Sequence, residues 1–168
     1  TIDSDLQWAA QPAVANEVRA SHSDFGTAVV LEVGTGRILA MATAPAFDRV
    51  MHTNVLGAMQ VIPQVAPLVE AAGGRFGFIS SSMGRIGDVE ASNAWLYRVS
   101  KAALNMVVAS ARHSYPRAVL AAFHPGWVQT DMGGAQAPVT VTDSVAGLRR
   151  TLAALTLADS GAFVRYDG

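Results

Sequence analysis

Ser80-Ser81-Ser82-Met83-Gly84, followed after a loop by Tyr97-Arg98-Val99-Ser100-Lys101, decides how this chain is read. Tyr97 and Lys101 are four residues apart, so on a helix they share one face, a turn from each other. An ammonium held beside a phenol favours the phenolate, which suits such a pair to proton transfer near neutral pH. Lys101 is also the only lysine in the chain. The competing reading is a solvated helix face, because a lone Tyr-x-x-x-Lys is common.

The neighbouring stretches add to the pattern. Phe76-Gly77-Phe78-Ile79 is a short apolar run that reads as a buried strand, with Ser80-Ser81 at its carboxyl end. In open α/β sheets ligands bind at that edge. A second apolar run, Val119 to Phe123, leads into His124-Pro125-Gly126-Trp127-Val128-Gln129-Thr130, and Thr53-Asn54-Val55-Leu56-Gly57 lies upstream in a helical stretch. Together these four pieces resemble the carboxyl half of the short-chain dehydrogenase/reductase family, from about Phe47 to Gly168. The resemblance implies a catalytic tetrad of Asn54, Ser81, Tyr97 and Lys101 and an NAD(P) cofactor. Tyr97 would exchange a proton with a carbonyl or alcohol oxygen, and Lys101 would bind the nicotinamide ribose. Ser81 would hydrogen-bond the reacting oxygen, and Asn54 would hold the helix and a relay water. Pro125, Gly126, Val128 and Thr130 match the loop that holds the nicotinamide. Ser81 is the second serine of Ser-Ser-x-x-Gly; the sixteen-residue gap to Tyr97 keeps Ser82 as the alternative.

Composition narrows the remaining classes. The chain has 168 residues, 51% hydrophobic and 15% charged, which suits one globular domain over residues 1–168 with a sizeable core. A formal net charge of −1 with no basic run argues against nucleic acid and anionic membrane surfaces as partners. No apolar segment reaches the roughly 18 residues of a membrane span, and a cytoplasmic protein is expected. Without cysteine there is no disulfide or thiolate site. His22, His52, His113 and His124 show no metal-ligand spacing, so no metal is expected. The chain starts at Thr1, which reads as a fragment, a processed product or an engineered piece.

The first segment, residues 1–48, has a different pattern. Thr1 to Asp5 carries capping chemistry, and Leu6, Ala9, Ala10, Ala13, Val14 and Val18 recur at helical spacing. Residues 27–33 and 37–42 read as an antiparallel hairpin around Gly34-Thr35-Gly36. A dinucleotide fingerprint needs its glycines between a strand and a helix, and here a second strand follows. This segment resembles the start of the transpeptidase domain of penicillin-binding proteins, on Thr1 to Gln7 and Thr35 to Pro45. None of that family's Ser-x-x-Lys, Ser-x-Asn or Lys-Thr-Gly motifs is present, so no transpeptidase activity is expected.

The two resemblances meet at Phe47-Asp48, which implies a chimera of segment 1–48 and segment 49–168. The reductase family's amino half carries a Gly-rich phosphate turn, and none is found here. The expected fold is α/β: an incomplete Rossmann-like half with parallel strands at 75–79, 118–123 and 162–166. The hairpin is expected to join them in a mixed sheet. Two functions stay open. One is a folded chimera with a vestigial tetrad, weak NAD(P) binding and inefficient catalysis. The other is an active NAD(P)-dependent oxidoreductase on a carbonyl or alcohol, its site completed by the first segment or a second chain. A homodimer through the apolar helices 49–71 and 95–114 is expected, with a strand-swapped dimer as its rival.

Overall fold

The structure is a computed structural model that describes residues 3–21, 26–43 and 45–168. The chain divides into two compact units, Thr1–His52 and Thr53–Gly168.

In the first unit, helix α1 (Ser4–Ala20) is capped by the Asp3 carboxylate, which accepts from the amides of Asp5 and Leu6. Strands β1 (Thr27–Leu31) and β2 (Ile38–Thr43) pair antiparallel, and helix α2 (Pro45–Met51) follows. Gly34 and Gly36 have φ of 99° and 70° and turn the hairpin, with Glu32 N–H donating to Arg37 O at 2.9 Å.

The second unit is a three-layer α/β sandwich. A π-helical stretch, His52–Leu56, leads into α3 (Gly57–Ala71). Then come β3 (Arg75–Ile79), α4 (Trp95–Ala111), β4 (Val119–His124), α5 (Val141–Ala154) and β5 (Phe163–Arg165). The three strands lie in the order β3-β4-β5, all parallel, as the helical connections require. Side chains of β4 alternate between layers. Leu120 and Ala122 pack with Ile62, Ala66, Leu104 and Val108 of α3 and α4, whereas Val119, Ala121 and Phe123 pack with Leu148, Leu152 and Leu155 at α5. Pro63 and Pro67 sit inside α3 without ending it, because the buried stripe Ala58, Ile62, Ala66 keeps it on the sheet. The helix stops at Gly73, whose φ of 58° is left-handed, with Gly74 N–H returning to Val69 O at 2.7 Å.

One expectation is corrected. The mixed sheet does not form: hairpin and parallel strands are separate sheets, and neither β1 nor β2 pairs with β3. The outer edge of β2 is already taken. Asp3 N–H donates to Leu39 O at 2.7 Å. The Gln7 amide then brackets Met41, donating to its carbonyl at 2.7 Å and accepting from its N–H at 2.9 Å. The cap of α5 is Thr140, whose hydroxyl accepts from Asp143 N–H at 3.1 Å.

Candidate functional site

The serine loop begins where β3 ends. Ser80 is buried, and its N–H continues the ladder by donating to Phe123 O at 2.7 Å. Its hydroxyl donates to Asn105 Oδ1 at 2.6 Å, and Asn105 Nδ2 donates to Gly84 O at 3.3 Å. One amide on α4 thus holds both ends of residues 80–84. Gly84 lies so close to α4 that a Cβ there would stand 2.7 Å from the Lys101 carbonyl carbon and 2.9 Å from Ala102 N. Between these anchors Ser81 is extended and nearly buried, its Oγ accepting from Met83 N–H at 3.2 Å. That leaves the Ser81 O–H as a donor. Ser82 is exposed.

Helix α4 starts from a strained residue: Ala94 has φ 49°. Arg98 holds that turn through the Asn93 carbonyl (2.9 Å) and the Asn93 side chain (3.0 Å). One turn further on, the Lys101 ammonium donates to Ile79 O at 3.0 Å and lies 5.6 Å from the Tyr97 ring centroid. Burial pushes the Lys101 pKa below its ordinary value of 10.5. Asn54, in the π-helical stretch, donates to Ser100 Oγ at 3.0 Å, and Ser100 donates to the Tyr97 carbonyl at 2.8 Å. A π-turn re-aims a helical side chain, a device common at functional sites.

The loop after β4 carries the other candidates. The Pro125 carbonyl accepts from Ser144 Oγ at 2.7 Å. Gly126 has φ 88°, and a Cβ there would come within 3.0 Å of the Tyr166 ring. Val128 bridges to Val139, and the Thr130 hydroxyl accepts from Gly133 N–H at 3.2 Å. His124 Nδ1 is buried without a hydrogen-bond partner among the described residues; burial and Arg165 lower its pKa, against a smaller opposing pull from Asp167.

The structure therefore links Asn54 through Ser100 to the Tyr97 main chain, sets the Lys101 ammonium 5.6 Å from the Tyr97 ring, and fastens the Ser81 loop to the same helix. Pro125 to Thr130 follow the strand next to β3. Sequence reasoning missed Asn105 and the roles of Ser80 and Ser100. The one available signal was spacing: Lys101 and Asn105 are four apart, so both face the serine loop. Of the histidines, His52 Nδ1 is 2.8 Å from Asp48 O, His113 pairs with Arg112 at 3.4 Å, and His22 lies outside the described residues. Among the described residues no cluster could hold a metal, and no helix is long and apolar enough to cross a membrane.

The fit to a dinucleotide is split. The Gly34-Thr35-Gly36 turn joins two antiparallel strands, so no helix amides stand behind it for a pyrophosphate. Residues that would meet a nicotinamide are present, Tyr97 and Lys101 on α4 and Pro125, Gly126, Val128 and Thr130 after β4. A groove of about 300 Å³ runs along β3, lined by Asn54, Gly57, Ala58, Gly77, Ile79 and Lys101 among others.

The family model described as short chain dehydrogenase matches residues 5–139, on both sides of Phe47-Asp48, where the sequence reading sets a junction. The C-signal protein of Myxococcus xanthus is 40% identical over 123 residues, 71% of this chain and 74% of that protein. Among solved structures, the carbonyl reductase Sniffer of D. melanogaster is 25% identical with a TM-score of 0.69. That match covers 95% of this chain and 72% of the reductase. A short-chain dehydrogenase/reductase from Burkholderia multivorans with bound NADP is 37% identical with a TM-score of 0.62; 73% of this chain spans 54% of it. A local match of 42% identity over 48 residues links 29% of this chain to 8% of a peptidoglycan D,D-transpeptidase FtsI homolog from Mesostigma viride.

Proposed function

The chain belongs to the short chain dehydrogenase family, and from that premise we propose that it is a folded chimera whose reductase-type site is vestigial. Asn54, Ser81, Tyr97 and Lys101 are its catalytic set. Tyr97 and Lys101, with Pro125, Gly126, Val128 and Thr130, are the residues that would meet the nicotinamide end of NAD(P). A bound nicotinamide would supply the hydride. The chain's own part is to hold a proton at Tyr97, orient a carbonyl or alcohol oxygen with the Ser81 hydroxyl, and keep a positive charge close by on Lys101.

The observation that carries this reading is the Lys101–Ile79 bond. The ammonium is engaged by a strand carbonyl at 3.0 Å, in a sheet of only three strands whose unit has no glycine turn for phosphates. Most of the binding energy for a dinucleotide's pyrophosphate comes from such a turn, so NAD(P) binding is weak and turnover slow. The 48-residue likeness to a transpeptidase homologue supports the chimeric origin of the first segment. Titrating NADPH into the chain, followed by fluorescence and calorimetry, tests the proposal. The expected result is no saturation at micromolar cofactor.

The second reading is an active NAD(P)-dependent oxidoreductase on a carbonyl or alcohol, its site completed by the first segment or another chain. Two solved neighbours favour it, since one is a carbonyl reductase and another holds NADP. Micromolar saturation abolished by Lys101→Ala would establish it in place of the first.

A further inference from the structure

Among the described residues the outer edges of β1 and β3 have no strand partner, nor has that of the three-residue β5, and the first two match. β3 pairs only with β4, and β1 only with β2. At either end of β3, Gly74 O accepts from Val119 N–H at 3.2 Å and Ser80 N–H donates to Phe123 O at 2.7 Å. Backbone groups alternate in direction along a strand, so residues 74, 76, 78 and 80 face β4. Arg75, Gly77 and Ile79 face away. In β1 the parity follows from its partner strand. Gln7 holds both backbone groups of Met41 from outside, so Met41 and the residue opposite it, Val29, are a non-bonded pair. Thr27, Val29 and Leu31 accordingly turn their N–H and C=O groups outward. Of the six outward residues, Ile79 alone has a partner for its carbonyl among the described residues, the Lys101 ammonium.

The surroundings of the two edges also correspond. The groove beside β3 has Gly57, Ala58 and Gly77 in its walls, residues small enough to let another backbone approach, and Lys101 is its only charge. β1 reads Thr-Ala-Val-Val-Leu, uncharged and rich in β-branched residues, with Val29 and Leu31 about half exposed. We propose that β1 of a second copy of this chain pairs with the outer edge of β3, in a reciprocal twofold exchange that closes these two edges in each copy. Each edge is five residues long and offers three outward residues. Apolar side chains on α3 and α4, among them Met59, Leu68 and Met106, are exposed as well. Exposed side chains of that kind are ordinary on a surface, whereas a bare strand edge is a directional template for another strand.

Light scattering of the whole chain over a dilution series, combined with amide hydrogen exchange, tests the proposal. The expected result is a dimer whose formation protects the amides of Thr27, Val29, Leu31, Arg75, Gly77 and Ile79. Phe76 and Val30, already paired, should keep their protection unchanged. Val29→Pro deletes an outward N–H without touching the β1–β2 ladder, and it should weaken the dimer at least about tenfold. If that variant fails to fold, judged by circular dichroism, the exchange data on the unsubstituted chain decide. A monomer throughout overturns the proposal. So does a dimer that leaves the six amides unprotected; its loss in Met106→Glu would then place the interface on the helices. Protection that is present in the monomer and independent of concentration also overturns it, in favour of pairing within one chain.

Discussion

The outer edges of β2 and β3 face the same problem and meet it differently. β2 is sealed by its own neighbourhood, with Asp3 on Leu39 and the Gln7 amide on both backbone groups of Met41. β3 has one donor, Lys101, at its last residue. A side-chain amide can imitate a strand because it carries a donor and an acceptor at peptide spacing, whereas an ammonium only donates. In the unit that holds the reductase-type residues, β3 therefore keeps an edge that no side chain seals as Gln7 seals β2. Its lysine has two candidate tasks, the edge carbonyl and the tyrosine, and the structure has it at the carbonyl.

Substitutions can break this contrast, starting with the largest effect. Gly84→Val should cost about 3 kcal/mol or more in denaturant unfolding, because its side chain meets the α4 backbone and no flexible group can give way. It would separate the serine loop from the helix that carries Lys101. Wild-type stability would mean the close packing at Gly84 is not needed. Gln7→Leu should unseal β2. Two hydrogen bonds are lost, about 1–2 kcal/mol for the pair, and the Met41 amide should exchange faster while that of Phe76 does not change. Equal exchange in both would remove the distinction between the edges.

Lys101→Met sharpens the comparison from the other side. Thermal unfolding at neutral pH should move by less than about 1 kcal/mol, since a lost charge-assisted bond is offset by relief of a buried charge. The sign can be checked by pH. With its folded pKa below 10.5, Lys101 disfavours folding at lower pH, and this penalty disappears as pH rises past the folded value to 10.5. The variant should lack that rise. The smallest effect belongs to His124, whose folded pKa is lowered from 6.5. Stability should be level at higher pH, fall as pH drops below about 6.5, and flatten below the folded pKa, because the unfolded chain takes the proton first. His124→Phe should remove this component from urea midpoints measured between pH 8 and 5.

Much of the fold was legible in the residues. The parallel strands announced themselves as short apolar runs because both faces of β3 and β4 are covered by helices, and the hairpin did so through Gly34 and Gly36. Tyr97 and Lys101 were legible because helical spacing is a local property. The Asn54–Ser100–Tyr97 connection was not, since it spans 46 residues and depends on a π-turn that carries no marker in the sequence. Nor was the clasp of Ser80 and Gly84 by Asn105, which exists only once β3 and α4 are packed. The mixed sheet failed for a related reason. Pattern identifies a strand by its side chains, but pairing is settled by backbone groups, and whether an edge is free depends on which neighbours reach it first. The amino-acid sequence by itself determined the elements, their order and the chemistry placed on α4. Tertiary structure alone decided that Gln7 closes one edge, that Lys101 turns to Ile79, and that β3 is left open.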